Sequence, residues 1–461
     1  MMKENVWNSY TKKQLTELEK INKEYKELLD EGKTERECVK IAVRYAKEAG
    51  YQNLDEVIKS GETVKSGSKL YSVFMEKTVV MFNIGKESLE NGMNILGAHI
   101  DSPRIDIKQN PLYETDELAY LDTHYYGGIK KYQWVTMPLA IHGVVAKTDG
   151  TLVNIVVGED ESDPVFAVTD LLIHLAAKQM EKKASLVIEG EKLDILVGSK
   201  PIKAKTDEKD KVKESILSIL KEKYDISEDD FISAELEVVP AGKARDLGFD
   251  RSMIMSYGQD DRVCAFTSLF AFMEEKKVDK TSCLILVDKE EIGSVGATGM
   301  HSKYFANTVA ELVNLMYGES ELKVRRVLAN SKMLSSDVSA AYDPMYPEVF
   351  EKRSSAFFGK GLVFNKFTGA RGKNSSNDAN PEYLAKIRSA LDKHKVAFQF
   401  AELGKVDAGG GGTIAYIMAN YGMEVVDSGV AVLCMHAPYE ITSKADVYEA
   451  YRGYRAFLQE M

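Results

Sequence analysis

Residues 93–103 read Met-Asn-Ile-Leu-Gly-Ala-His-Ile-Asp-Ser-Pro, MNILGAHIDSP. An apolar run that closes on a polar cluster is the expected form of a buried strand delivering side chains at its C-terminal edge. The same form recurs in CLILVDKEEIGS (283–294), KMLSSDVSAAYDP (332–344) and VLCMHAPYEI (432–441). Helical patterns lie between them, DDRVCAFTSLFAFMEEKK (260–277) and TVAELVNLMYG (308–318). Strands alternating with helices, with polar residues at the strand ends, predict an α/β fold with a mixed, mostly parallel central sheet flanked by helices.

Working outward, Lys12 to Ala49 is patterned as amphipathic helix, for example from Leu15 to Leu28, and YSVFM (71–75) and TVVMFNIG (78–85) read as strands. Between about Ile107 and Val239 the texture changes. Short strands with turn signals appear in LAIHGVVAKTDGTLVNIVVGED (139–160), followed by a helical stretch, TDLLIHLAAKQMEKK (169–183). A charged run from Lys200 to Asp230 follows, in which Ile216, Ile219 and Leu220 are spaced as one face of an amphipathic helix between solvated loops. The organisation expected is a discontinuous catalytic domain, 1–106 with 240–461, interrupted by a β-rich inserted domain over 107–239.

The 461 residues are 44% hydrophobic and 28% charged, ordinary for a globular chain with a large core. No run of about 18 uncharged apolar residues occurs, so a membrane-spanning helix is not expected. The first residues, MMKENVWNSYTKKQ, lack the apolar stretch of a secretory signal. Cys38, Cys264, Cys283 and Cys434 have neither zinc-ribbon nor thioredoxin spacing, and a reduced, cytoplasmic compartment is the simplest expectation. A formal charge of 60 − 71 = −11 without a Lys/Arg block argues against nucleic acid as a partner.

Four strand ends therefore present acidic or histidine side chains: His99 and Asp101, Glu290 and Glu291, Asp337, and His436. A fifth segment, SYGQDDRVCAF (256–266), opens a helix with Asp260 and Asp261. Ligand crevices in open α/β sheets lie beyond the carboxyl ends of strands, so these segments can converge. Imidazoles with several carboxylates suit hard or borderline dications such as zinc, manganese or cobalt. More than three carboxylates in one pocket repel unless cations neutralise them, which favours two metals over one, with a carboxylate bridging them.

In this order HIDSP, GQDDR, DKEEIGS, SSDVSAAYDP and MHAPYEI resemble the motifs of the aspartyl aminopeptidase and vacuolar aminopeptidase family, co-catalytic zinc exopeptidases that remove N-terminal residues from peptides. The resemblance spans nearly the whole chain. It implies that Asp260 bridges two metals, that His99 and Asp337 complete one and that Glu291 and His436 complete the other. Glu290 becomes the general base, and Asp101 orients the His99 imidazole and fixes its tautomer. It also implies a cis peptide between Asp260 and Asp261. Many relatives carry Leu-Asp-Asn where this chain has Gln259-Asp260-Asp261, which adds a carboxyl beside the metals and bears on metal preference and pH optimum.

His174, in LLIHLAAK, matches a family histidine that reaches an active site and assists carbonyl binding, and is expected to be supplied to a neighbouring subunit. His124 and His142 are expected to be structural, and His301 and His394 to lie at the surface. The glycine-rich stretches GKGLVFNKFTGARGK (359–373) and LGKVDAGGGGTIA (403–415) lack the Lys-Ser/Thr ending of a phosphate loop. The second, including Gly410, is expected to line the substrate-backbone pocket. Asp407 matches a family carboxylate that could hold the free α-amino group, and Lys405 could favour acidic side chains.

The expected activity is hydrolysis of the N-terminal residue from short unblocked peptides, with two divalent metals per subunit, most simply zinc. Dimers formed through the inserted domain and assembled into a tetrahedral dodecamer are what the resemblance implies. A metal-dependent dipeptidase or deacylase, and a catalytically weak assembly or cargo protein, are the competing readings. The side chain preferred by the first substrate pocket is not legible.

Overall fold

The computed structural model describes residues 4–203, 209–275 and 278–461. Residues 204–208 of the charged run, and 276–277 at the end of the helix expected over 260–277, lie outside them. The chain divides into two compact units: Met1–Asp101, Ala244–Met435 and Glu440–Met461 form one, and Ser102–Lys243 with His436–Tyr439 form the other.

The first unit is built on a nine-stranded sheet. At its centre, Asn94–His99 pairs in parallel with Ser282–Val287 on one side and with Lys332–Ser336 on the other, and Lys332–Ser336 pairs in parallel with Glu424–Gly429. Thr78–Asn83 and Leu362–Asn365 join antiparallel, so the sheet is mixed, with parallel strands at its centre. Successive residues of a strand point to opposite faces. Leu96, Ala98, Leu284 and Leu286 accordingly pack into one apolar cluster, and Ile95, Cys283, Ile285 and Val287 into another. Both faces are covered, which is why these strands are apolar without alternation.

The helices Lys12–Glu31 and Glu35–Glu48 begin at Thr11 and Thr34, each the Ncap of a capping box with Gln14 or Glu37. Gly32 to Thr34 thus split the helical pattern of Lys12 to Ala49 in two. The helix Gln259–Glu274 is buried on nearly every side, consistent with its apolar sequence. A five-stranded sheet, Arg245–Leu247, Met253–Ser256, Glu440–Ser443, Ala431–Leu433 and Ser339–Ala340 in that order, completes this unit. Among the described residues no helix is long and apolar enough to cross a membrane.

The second unit is a seven-stranded antiparallel sheet in which Leu139–Ala146, Ala234–Pro240 and Arg104–Thr115 lie side by side. The amphipathic helix expected in the charged run is Lys211–Tyr224. The helical stretch expected over 169–183 is different: only a single 3-10 turn at Ile173–Leu175 and one short helix, Ala177–Met180, form there. Leu171, Leu172, Ile173, Leu175 and Met180 are all exposed, so no apolar face is buried to stabilise a longer helix, and short helices are marginal without one.

Candidate active site

Register places the acidic and histidine side chains. Val287 lies beside His99 on the adjacent parallel strand, and Ser335 lies beside Gly97. The chain then leaves these strands as Asp288-Lys289-Glu290-Glu291 and as Ser336-Asp337, so Glu290, Glu291 and Asp337 emerge at the edge where His99 ends its own strand. Ligand atoms of His99, Glu290 and Glu291 lie within 4.8 Å of one another, as do those of His99, Asp260 and Asp337.

Asp260 arrives from the start of the helix Gln259–Glu274, where the Asp260–Asp261 peptide is cis. Its amide donates to the Glu440 carboxylate at 2.9 Å. Gln259 fixes the turn from a fully buried position. Its carbonyl oxygen accepts from the Tyr25 and Thr442 hydroxyls at 3.1 and 2.6 Å, and its amide nitrogen donates to the carbonyls of Ile254 and Glu440. Gly258 precedes it at φ 68, and a Cβ there would stand 2.0 Å from the Arg262 guanidinium, so both conformation and space require glycine.

Asp101 holds the opposite wall. Its two carboxylate oxygens accept from the amides of Glu290 and Glu291, at 3.1 and 3.2 Å. The His99 Nδ1 contacts the Asp101 carbonyl oxygen at 3.0 Å, nearer than the carboxylate oxygen at 3.4 Å. A carbonyl only accepts, so Nδ1 carries a proton, and in the neutral imidazole Nε2 is left with the lone pair. Nε2 lies 3.3 Å from Asp260 Oδ1 and 3.9 Å from oxygens of both Glu290 and Asp337. Lone pairs that face each other at such distances repel unless a proton or a cation lies among them.

The titration of these groups reflects the same crowding. Burial lifts the Asp261 and Asp337 carboxyls well above the usual range; the Glu290 charge adds to the rise at Asp337, and His99 opposes it at both. At His99 burial pulls the imidazole down, but hydrogen bonds to Asp101 and Asp260 and the charge of Glu290 outweigh it, and the group is held well above its ordinary value. An imidazole surrounded by carboxylates is a nitrogen and oxygen donor set that fits a dication such as zinc.

His436 lies in the second unit, at φ 63, its Nδ1 2.9 Å from the Gly128 carbonyl oxygen, which again leaves the lone pair on Nε2. His174 is exposed in the apolar 3-10 turn. His142 is buried with Nε2 3.1 Å from Glu159; His124 is exposed; His301 meets the Tyr416 hydroxyl and His394 the Glu460 carboxylate. Lys405, Asp407 and Gly409 line a cavity of about 260 Å³ with Phe367, Thr368 and Arg371. Gly410 has φ 118, and a Cβ there would lie 1.9 Å from the Gly369 carbonyl. Glu440 and Gln259, quoted in the motifs but given no role by the sequence, prove central to seating Asp260. Their signal was position, one at the end of MHAPYE and the other directly before Asp260.

The fold and the donor cluster at its strand ends define a metal-dependent hydrolase of the α/β type. The family model of the Aminopeptidase I zinc metalloprotease (M18) matches residues 28–458, and the chain belongs to this family of metallo-aminopeptidases. A probable M18 family aminopeptidase 1 of Clostridium acetobutylicum is 62% identical over 454 residues, 98% of this chain and 97% of the relative. The crystal structure of an M18 aminopeptidase from Thermotoga maritima superimposes with TM-score 0.95 at 42% identity, covering 100% of both chains. The S. cerevesiae mApe1 dodecamer shares the fold at TM-score 0.77 and 20% identity, over 94% of this chain and 95% of that one.

Proposed function

We propose that the chain hydrolyses the N-terminal residue from short unblocked peptides with two divalent metals per subunit. The observation that carries this reading is the convergence of His99, Asp260, Glu290, Glu291 and Asp337 on one sheet edge, with His99 Nε2 directed at carboxylate oxygens. In this reading Asp260 would be shared by the two metals, His99 and Asp337 would hold one, and Glu291 and His436 would hold the other. Zinc in the first instance, with cobalt or manganese as alternatives, would supply Lewis acidity toward the scissile carbonyl and a water when bound there.

Glu290 takes a proton from the attacking water and delivers it to the leaving amine, a general acid–base role. The Asp101 carboxylate holds the Glu290 and Glu291 amides, so neighbouring glutamates keep distinct directions and separate roles. Asp407 pairs with the free α-amino group, Lys405 favours acidic first residues, and Gly410 lets the main chain approach the peptide backbone. The exposed apolar stretch around His174 supports an assembly in which that histidine serves a neighbouring copy. Twelve chains of 51.4 kDa, arranged as a tetrahedral dodecamer built from dimers, would enclose the sites and admit short peptides in the cytoplasm, and mApe1 is itself a dodecamer.

The deciding experiment is metal removal and reconstitution. Chelated protein should lose cleavage of aminoacyl-nitroanilides and regain it with zinc, cobalt or manganese, at two ions per chain. Full activity in rigorously metal-free protein rejects the mechanism. Hydrolysis of acyl-amino acids in place of aminoacyl substrates rejects the substrate class.

A further inference from the structure

The segment 402–412, which carries Lys405, Asp407 and Gly410, is tied to the nine-stranded sheet at both of its ends. At its entry, Ala401 donates its amide to Phe364 and its carbonyl accepts from the Asn365 side chain at 3.0 Å. At its exit, the Thr413 hydroxyl donates to the Asp427 carboxylate at 2.5 Å and accepts from the Ala415 amide. Asn365 and Asp427 are register partners on adjacent antiparallel strands. Two side chains from one rung of the sheet thus hold the two feet of one loop.

Both are almost fully buried, Asn365 at 4% exposure and Asp427 at 2%. Burying a carboxyl in a sheet is unfavourable unless its hydrogen bonds compensate, and a Val or Ile at this rung would satisfy packing alone. Between its feet the backbone is also tied at Glu402, whose amide donates to the Ser354 carbonyl at 2.7 Å, and at Lys405, whose amide donates to the Val349 carbonyl at 2.9 Å, while Lys405 to Ala408 are exposed and Val406 is 78% exposed. Its inner side meets the neighbouring loop where Gly369 donates to the Gly411 carbonyl, and Gly369 also lines the cavity of about 260 Å³.

We propose that Asn365 and Asp427 are positioning residues, acting through Ala401 and Thr413 to fix the span of the 402–412 loop and so the placement of Asp407 and Lys405 against the substrate's first residue. The inference rests on the role given to that loop under the proposed function. Neither residue touches the substrate. They set the width of its pocket rather than the chemistry of the bond broken, so their loss appears in substrate binding more than in turnover.

The test uses the metal-loaded, full-length protein with Leu-, Glu- and Lys-p-nitroanilide. Thr413→Val removes the hydroxyl with little change of volume and should raise KM about tenfold while kcat stays within about twofold. Thr413→Ser should restore the wild-type KM. Limited trypsinolysis, run well below the thermal midpoint of each protein, supplies a readout independent of activity: cleavage after Lys405 should be several-fold faster in Thr413→Val and normal in Thr413→Ser. Asp427→Asn and Asn365→Ala should follow Thr413→Val; should either fail to fold, the Thr413 pair still decides. Wild-type KM and trypsin rates in Thr413→Val overturn the proposal, as does a loss confined to kcat or an equal loss in Thr413→Ser. If none of the anilides is cleaved by any protein, the functional reading fails, and the trypsin rates alone then judge the clamp. If Asp407→Asn raises KM while Thr413→Val does not, the functional reading survives and the clamp falls.

Discussion

The strand-end cluster of the first unit and the stretch around His174 in the second are opposites. In the cluster, His99 and Asp260 are at most 3% exposed, and each is held by named partners within its own unit. Around His174, Leu172 is 55%, Ile173 67% and Leu175 69% exposed, and the backbone holds little more than a turn. One region is completed by its own chain. The other presents apolar surface of the kind that monomers rarely leave to water, and so points to a partner.

The largest effects should fall on the cluster. Glu290→Gln should lower kcat at least about 100-fold while both metals remain, because the amide cannot take a proton yet leaves the proposed ligands in place. Asp260→Ala should lose metal as well as activity. Metal analysis of the purified variants separates the two, and loss of metal from Glu290→Gln would reverse the roles of Glu290 and Glu291.

For the exposed stretch, His174→Ala should cut kcat about tenfold or more with the assembly intact, since only the proposed carbonyl-binding group is removed. Leu172→Ser with Leu175→Ser should instead break the particle, read by light scattering, and lower activity as assembly falls. A fully active monomer would erase the contrast between the regions.

A third, smaller effect separates chemistry from support. Gln259→Leu leaves the Tyr25 and Thr442 hydroxyls and the Ile254 and Glu440 carbonyls without their amide, and should destabilise the first unit by roughly 2–4 kcal/mol. Denaturant unfolding measures this. An unchanged midpoint would show that the seat of Asp260 lies elsewhere.

How much of this the sequence carried follows from how each feature is encoded. The strands and the polar residues at their ends were legible because a parallel strand buried on both faces is a continuous apolar run with a sharp polar stop, as in ILGAHIDSP. That these stops coincide in space depends on register, which pairs His99 with Val287 and Gly97 with Ser335 and leaves no local mark. The division of labour at Asp101 was only half visible: the sequence placed it two residues from His99, but its carboxylate is committed to the amides of Glu290 and Glu291, and its main-chain carbonyl meets the imidazole. The helix expected over 169–183 failed because apolar spacing records that a face will be buried, not whether its own chain buries it.

The smallest expected effect concerns a buried carboxylate with no part in the chemistry, and it serves as the control for the cluster. Asp446 is fully buried and accepts from the amides of Gly359 and Gly361, each at 2.8 Å. Burial pushes its carboxyl up to about 7, although those two amides pull it down. A group whose folded-state value is raised binds its proton more tightly in the folded chain, so its stabilising contribution is complete below the unfolded value of 3.8 and is lost as pH rises through about 7. Asp446→Asn cannot titrate. The thermal midpoint of the wild type relative to Asp446→Asn should therefore decline between pH 5 and 8, by about 1–3 °C. Relative activity should stay level over the same range, because Asp446 touches no group of the cluster. A constant difference, or one that grows with pH, would mean that the amides and not burial set its charge. Buried carboxylates in this fold would then be stabilised by backbone donors alone, which would weaken the case that the strand-end cluster needs cations.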